Sequence, residues 1–145
     1  ESSDAYHISS PHPEGVGGKM AMEYALSSAG IGAPDIDYVN LHGTATPSND
    51  RSESRGLQSV FGSEVICSST KGMTGHTLGA AGINEAIICT LALENSIIPA
   101  NVNLNKIDDQ LPIQVTTKSM KRTLNHVMSN SFGFGGSNCS LIFTC

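Results

Sequence analysis

A glycine-rich segment, residues 70–82, limits the possible folds of this 145-residue chain more than any other part of it. Within and just after it, Gly75, Gly79, Gly82 and Ala86 follow one another at spacings of four, three and four. This spacing predicts a helix over residues 75–95 with its small residues on one face. Each interior glycine costs about 0.5–1 kcal/mol relative to alanine. We therefore expect a second helix packed closely against that face.

The remaining hydrophobic pattern predicts alternating helices and strands. The predicted elements are a helix at 17–29, a strand at 35–42, a helix capped by Ser48 or Asn49 and ending near 60, a short strand at 65–67, the glycine-rich helix, a loop at 99–112, and strands at 124–131 and 138–144. This order is typical of an α/β sheet sandwiched by helices, here closed by an antiparallel hairpin at one side.

Net charge and hydrophobicity argue against nucleic acid as a partner and against a membrane-spanning segment. Eight basic and thirteen acidic residues give a net charge of −5, and the basic residues form no stripe, which argues against nucleic acid. The longest apolar run, within residues 86–99, is too short and too polar for a membrane span. The start of the chain has no signal-peptide pattern, but it also lacks an initiator methionine, so targeting stays open.

The four cysteines have none of the close pairs that a zinc site requires. Two of them fall in apolar patterns where buried, reduced thiols are common, and the simplest interpretation is a cytoplasmic protein. The glycine run at 133–138 lacks the Lys-Ser/Thr ending of a phosphate-binding loop. We predict neither a metal site nor a cofactor.

Two histidines are the strongest candidates for chemistry. His42 is predicted at the end of one strand, and His76 follows Gly75 at the predicted start of the glycine-rich helix, where backbone N–H groups converge. Together with Lys71 they can stabilise a developing negative charge. An ordinary loop position remains an alternative for His42. We assign no role to the other three histidines, His7, His12 and His126.

Lys71 is predicted to act electrostatically, although a base or Schiff-base role is also open. Its candidate partner is Glu85, which lies among apolar residues of the predicted glycine-rich helix. A buried carboxylate in that position needs a partner. Helical periodicity alone leaves open the alternative that Glu85 faces solvent.

Two further segments contain candidate substrate-binding residues. The hydroxyls of Thr44 and Thr46 flank Ala45 beside His42 and suit a polar ligand chain, with turn stabilisation as the alternative. Phe132, Gly133 and Phe134 begin a glycine-rich run. We interpret that run as a gate over a pocket, because a plain hairpin needs fewer glycines. Core aromatics in a hairpin are the alternative.

Three motifs, in this order and spacing, resemble the C-terminal half of the β-ketoacyl-acyl carrier protein synthases of the type I and II class, in the thiolase superfamily. They are His42-Gly43-Thr44-Ala45-Thr46-Pro47, the 71–82 segment and the 130–138 run; Asp4-Ala5-Tyr6-His7 and Pro13-Glu14-Gly15 also fit. The resemblance covers nearly the whole chain. It implies a thiolase-like fold, with residues 1–145 as the C-terminal half of a five-layered αβαβα sandwich that lacks its first strand and its N-terminal half.

The resemblance also implies a reaction, a decarboxylating Claisen condensation. In this family a cysteine accepts an acyl chain from acyl carrier protein, and the carbanion formed from malonyl-carrier protein attacks it. The matching positions would be His42 and His76 as catalytic histidines, Lys71 and Glu85 as their supporting ion pair, Thr44 and Thr46 on the phosphopantetheine arm, and Phe134 as the gate whose backbone N–H helps form an oxyanion hole.

The family's nucleophilic cysteine lies in the N-terminal half, and none of Cys67, Cys89, Cys139 and Cys145 stands in its context. We therefore expect the chain to be a fragment of a longer synthase that does not catalyse condensation alone. Expected partners are phosphopantetheine-linked malonyl- or acyl-carrier protein, the N-terminal half, and a second subunit in a homodimer or related heterodimer. The alternative is a non-catalytic partner subunit resembling a chain-length factor, but the retained histidines argue against it. Acyl chain length and pathway stay open.

Overall fold

A five-stranded sheet forms the centre of the computed structural model, which describes residues 1–145. Its strands, in spatial order, are β1 (Ser2–Ser3), β7 (Ser137–Thr144), β6 (His126–Phe132), β2 (Tyr38–Asn40) and β3 (Cys67–Ser68). Strand β2 pairs in parallel with both β3 and β6, and β7 runs antiparallel to β6. A separate antiparallel pair is formed by β4 (Ile97–Ile98) and β5 (Met120–Lys121).

Helices cover both faces of this sheet. The two long helices α1 (Val16–Ala29) and α2 (Pro47–Phe61) pack on one face, α4 (Ala81–Asn95) packs on the other, and α3 (Lys71–Thr74) is a single short turn. Successive side chains of a strand point to opposite faces. Val39 accordingly enters the core under α1 and α2, whereas its neighbour Tyr38 packs with Cys89 and Leu93 of α4.

The predicted order of helices and strands and the antiparallel hairpin are confirmed. Several boundaries differ. Residues 33–35 form a 3₁₀ turn, so the strand that we predicted from residue 35 begins only at Tyr38. The predicted cap of α2, Ser48 or Asn49, is wrong: Thr46 is the N-cap, and Pro47 takes the first helical position, a place that proline favours. The short strand that we predicted at 65–67 lies at Cys67–Ser68, and the two-residue strands β1, β4 and β5 were not predicted.

The single helix that we predicted over residues 75–95 is wrong. Gly75 has a φ of 71°, which ends α3; a 3₁₀ turn at Leu78–Ala80 follows, and α4 begins only at Ala81. A Cβ on Gly75 or Gly79 would meet no atom within 4 Å, and one on Gly82 would lie 3.3 Å from the hydroxyl of Ser131 in β6. Only Gly82 therefore has a close neighbour, and that neighbour is strand β6 and not the second helix that we expected. At Gly75 the glycine serves a left-handed turn that costs a side-chain-bearing residue more.

Two cysteines are buried, as the apolar patterns around them predicted. Cys67 and Cys89 are buried, and all four cysteines are free thiols. No helix has the length and apolar character that a bilayer span requires.

Candidate active site

The backbone after β2 is held by a buried carboxylate. His42 follows β2 by two residues, and its N–H and that of Gly43 donate to Oε1 and Oε2 of Glu53, each at 2.8 Å. Glu53 lies on α2 and is only 4% exposed. Because both carboxylate oxygens bind consecutive N–H groups, the position of His42 is fixed relative to α2.

Lys71 and Glu85 form a buried ion pair on the other side of His42. The Nζ of Lys71 donates to Oε1 of Glu85, and the two side chains are 6% and 2% exposed. The predicted pairing is confirmed, and the alternative that Glu85 faces solvent is wrong. The same Nζ lies 3.5 Å from Nδ1 of His42.

The two candidate histidines meet edge to face. Their ring centroids are 5.5 Å apart with an interplanar angle of 88°, and the ring of Phe132 lies 5.9 Å from that of His42. His76 is exposed and sits in the irregular segment between α3 and the Leu78–Ala80 turn. Our expectation that it opens a long helix is therefore wrong, because the chain turns at Gly75 before any helix begins.

Neighbouring donors determine the tautomers of both imidazoles. Nδ1 of His76 accepts from the N–H of Leu78 at 3.1 Å. Nδ1 of His42 faces the Lys71 ammonium, which has only protons to donate. Nδ1 is thus the acceptor in each neutral ring, and the proton is assigned to Nε2. The site holds two Nε2–H donors on perpendicular rings.

Burial and charge keep His42 neutral. Burial, then the positive charge of Lys71, then His76 lower the pKa of His42 to about 3. Burial raises the pKa of Glu85, opposed by its bond to Lys71. Burial likewise raises the pKa of Glu53 to about 7, opposed by the N–H groups of Gly43 and His42 and by the charge of Lys71.

We expect the imidazole of His42 to stay neutral from pH 8 to about pH 4, with its proton on Nε2. In the unfolded chain the neutral imidazole takes up a second proton below its ordinary pKa of 6.5, whereas in the folded chain it does so only near pH 3. Acid between these values therefore weakens folding, by up to roughly 5 kcal/mol from this residue. Histidine-selective ¹⁵N NMR over pH 4–8 measures it directly. A His42 midpoint above pH 6 would contradict the assignment.

A cavity of about 440 Å³ opens beside this group. Lys71, His76, Glu53 and Thr44 line its polar side, and an apolar wall comes from the segment after β4, namely Leu104, Ile107, Leu111, Ile113 and Val115. Thr44 is half-buried and lines the cavity, and its hydroxyl lies 2.9 Å from that of the exposed Thr46. This geometry is compatible both with turn stabilisation and with ligand binding.

The two phenylalanines of the 130–138 run differ in burial. Phe132 is half-buried at the end of β6, where a Cβ on Gly18 would lie 2.8 Å from its ring. Phe134 is 81% exposed, so it is not a core aromatic of the hairpin. Gly135 and Gly136 have φ values of 75° and 80°, a left-handed region that glycine adopts readily.

Sequence analysis missed three supporting residues, Glu53, Ser69 and Asn101. Glu53 could have been found, because its spacing of four from the buried Leu57 places it on the inward face of α2. Ser69 and Asn101 carried no comparable signal, since they meet only through tertiary contacts. None of the four cysteines lines the cavity.

Comparisons with known proteins agree with this geometry. A family model described as the beta-ketoacyl synthase C-terminal domain matches residues 1–105. The chain is 44% identical, over 98% of its length, to "3-oxoacyl-[acyl-carrier-protein] synthase 2" of Vibrio cholerae, of which it covers 36%. It thus spans about a third of that relative.

Solved structures give the same result. A ketosynthase from Xenorhabdus doucetiae in complex with its chain length factor matches 97% of this chain and 36% of its own, with 50% identity and a TM-score of 0.92. A Burkholderia phymatum β-ketoacyl synthase matches 98% of this chain and 35% of its own, with 36% identity and a TM-score of 0.93. The predicted α/β thiolase-like fold is confirmed.

Proposed function

This chain belongs to the β-ketoacyl synthase family, whose C-terminal domain it matches, and on that premise we propose that it forms the decarboxylation site of a 3-oxoacyl-[acyl-carrier-protein] synthase. The observation that carries the proposal is the pair of imidazoles, 5.5 Å apart, in each of which a neighbouring donor faces Nδ1 and thereby leaves Nε2 to donate. Its substrate is a malonyl thioester on acyl carrier protein.

The two donors suit the charge that decarboxylation creates. When the bond to the malonyl carboxylate breaks and carbon dioxide leaves, the electron pair becomes an enolate with charge on the thioester oxygen. Preorganised N–H donors aimed at such an oxygen are worth several kcal/mol, on the order of 3 for each in known sites. Burial and the positive charge of Lys71 lower the pKa of His42 and so keep it neutral, and Glu85 balances the lysine's charge in the buried site.

The condensation step needs a nucleophile that this chain does not bring to the cavity. Cys67 and Cys89 are buried, and burial raises the pKa of each thiol to about 12, the opposite of what thiolate chemistry needs. We propose that residues 1–145 act as the C-terminal domain beside an N-terminal half that carries the nucleophilic cysteine.

The outer face of α4 supports this arrangement. Ile83, Ile87 and Leu91 follow at helical spacing and are 60%, 51% and 50% exposed. Such an apolar stripe is suited to burial against another helix. The proposed N-terminal half is its occupant.

Carrier-protein partners follow from the same site. Thr44 and Thr46 offer hydroxyls at the rim for a phosphopantetheine arm, and Phe134, between Gly133 and Gly135, is the proposed gate. We further propose a cytoplasmic dimer, either a homodimer or a heterodimer with a related subunit, acting in fatty acid or polyketide synthesis. The intact His42, His76, Lys71 and Glu85 favour an enzyme over a chain-length-factor-like subunit.

Two measurements test this function. The complete synthase that carries this chain should release labelled carbon dioxide from malonyl-acyl carrier protein, whereas this polypeptide alone should form no acyl-enzyme with labelled acyl-carrier protein. Acylation of the isolated chain would overturn the assignment of the nucleophile to another segment. A complete protein that neither decarboxylates nor condenses would instead identify a non-catalytic subunit.

A further inference from the structure

Ser69 connects the two loops that carry His42 and Lys71. It follows β3 directly and is 7% exposed. Its hydroxyl donates to the carbonyl of Gly43 at 2.9 Å and accepts from the N–H of Lys71 at 3.3 Å. One side chain thus bonds the residue after His42 and the backbone of Lys71.

The two loops touch at this point. A Cβ on Gly43 would lie only 2.4 Å from Cβ of Ser69, so glycine is required for the approach. The N–H of Ser69 donates to Oδ1 of Asn101 at 2.9 Å, which fixes the serine from a third segment. The preceding residue, Ser68, faces the other way and bonds the hydroxyl of Tyr38 and the carbonyl of Pro99.

We propose that Ser69 is a positioning residue that sets the separation of the Lys71 ammonium from the His42 imidazole. The inference rests on the proposed function and deepens it. Glu53 holds the His42 backbone against α2, and Ser69 holds it against the lysine turn. Without the hydroxyl, Gly43 and Lys71 lose their shared partner and the loops can separate. A displacement of about 1 Å in a catalytic constellation can cost on the order of 100-fold in rate.

The test compares Ser69→Ala with Ser68→Ala in the complete synthase that carries this chain. Both changes remove a buried hydroxyl with two hydrogen-bond partners, so a merely structural role predicts similar losses of thermal stability and similar activities. We expect Ser69→Ala alone to lower kcat for malonyl-acyl carrier protein decarboxylation by roughly 10- to 100-fold, with KM within about twofold. Ser69→Cys keeps the size with a weak hydrogen-bonding group and should show a smaller effect of the same kind.

Histidine-selective NMR supplies a readout that does not need activity. The titratable and charged groups facing His42 are Lys71, His76 and Glu53. If Ser69 sets the distance to Lys71, the His42 midpoint should move to higher pH in Ser69→Ala and stay unchanged in Ser68→Ala. Equal kcat values and an unmoved midpoint would overturn the inference. If the unmodified synthase fails to decarboxylate, the proposed function fails, and the NMR comparison still decides the role of Ser69.

Discussion

Replacing Lys71 with alanine should lower the free energy of unfolding by about 3–5 kcal/mol, the usual cost of leaving one member of a buried ion pair without its partner. Glu85 would then keep only the hydroxyl of Ser131, at 3.5 Å, in a site where it is 2% exposed. Decarboxylation should also fall, because the ammonium that faces Nδ1 of His42 and leaves the proton on Nε2 would be gone. Denaturant unfolding and carbon dioxide release measure the two effects.

Two matched variants separate these effects. Lys19→Ala removes a lysine from an exposed pair with Glu23 and should change the free energy of unfolding by less than about 1 kcal/mol. The double variant Lys71→Met with Glu85→Met removes both charges and should regain most of the stability while remaining slow in decarboxylation. A Lys71→Ala protein as stable as the parent would contradict the buried-pair interpretation.

Replacing His76 with alanine should lower decarboxylation of malonyl-acyl carrier protein by about 10²- to 10³-fold, the effect of removing one preorganised donor from a developing oxyanion. Stability should hardly change, since His76 is exposed and its ring accepts a hydrogen bond only from the N–H of Leu78, close by in the chain. The measurement is release of labelled carbon dioxide by the complete synthase, alongside thermal unfolding.

His126→Ala is the control for this prediction. His126 begins β6, at the opposite end of the strand from Phe132 and the site, and its ring bonds Thr144 at 3.0 Å. Its replacement should leave decarboxylation unchanged. If His76→Ala decarboxylated at the parental rate, the two-donor mechanism would be untenable.

Local patterns in the sequence predicted much of this fold. Helix α1 and the β6–β7 hairpin lie where periodicity and glycine placement indicated, because the outcome there depends on neighbours in the chain. The prediction of one helix over residues 75–95 was wrong because glycine has more than one structural use. Spacing alone does not distinguish a glycine used for close packing from one, such as Gly75, used for a left-handed turn.

The sequence by itself determined the residue types of the site and their order: two histidines, a lysine and a carboxylate in motifs specific enough to identify a family. Only the tertiary structure decided how they act. Glu85 lies on a helix that has apolar residues on both faces, so its direction could not be predicted, and packing against β6 turned it inward to Lys71. Glu53 and Ser69 acquired their roles through contacts between segments distant in sequence. Helical and strand periodicity predicts the direction of a side chain, but it does not predict which distant segment that side chain contacts.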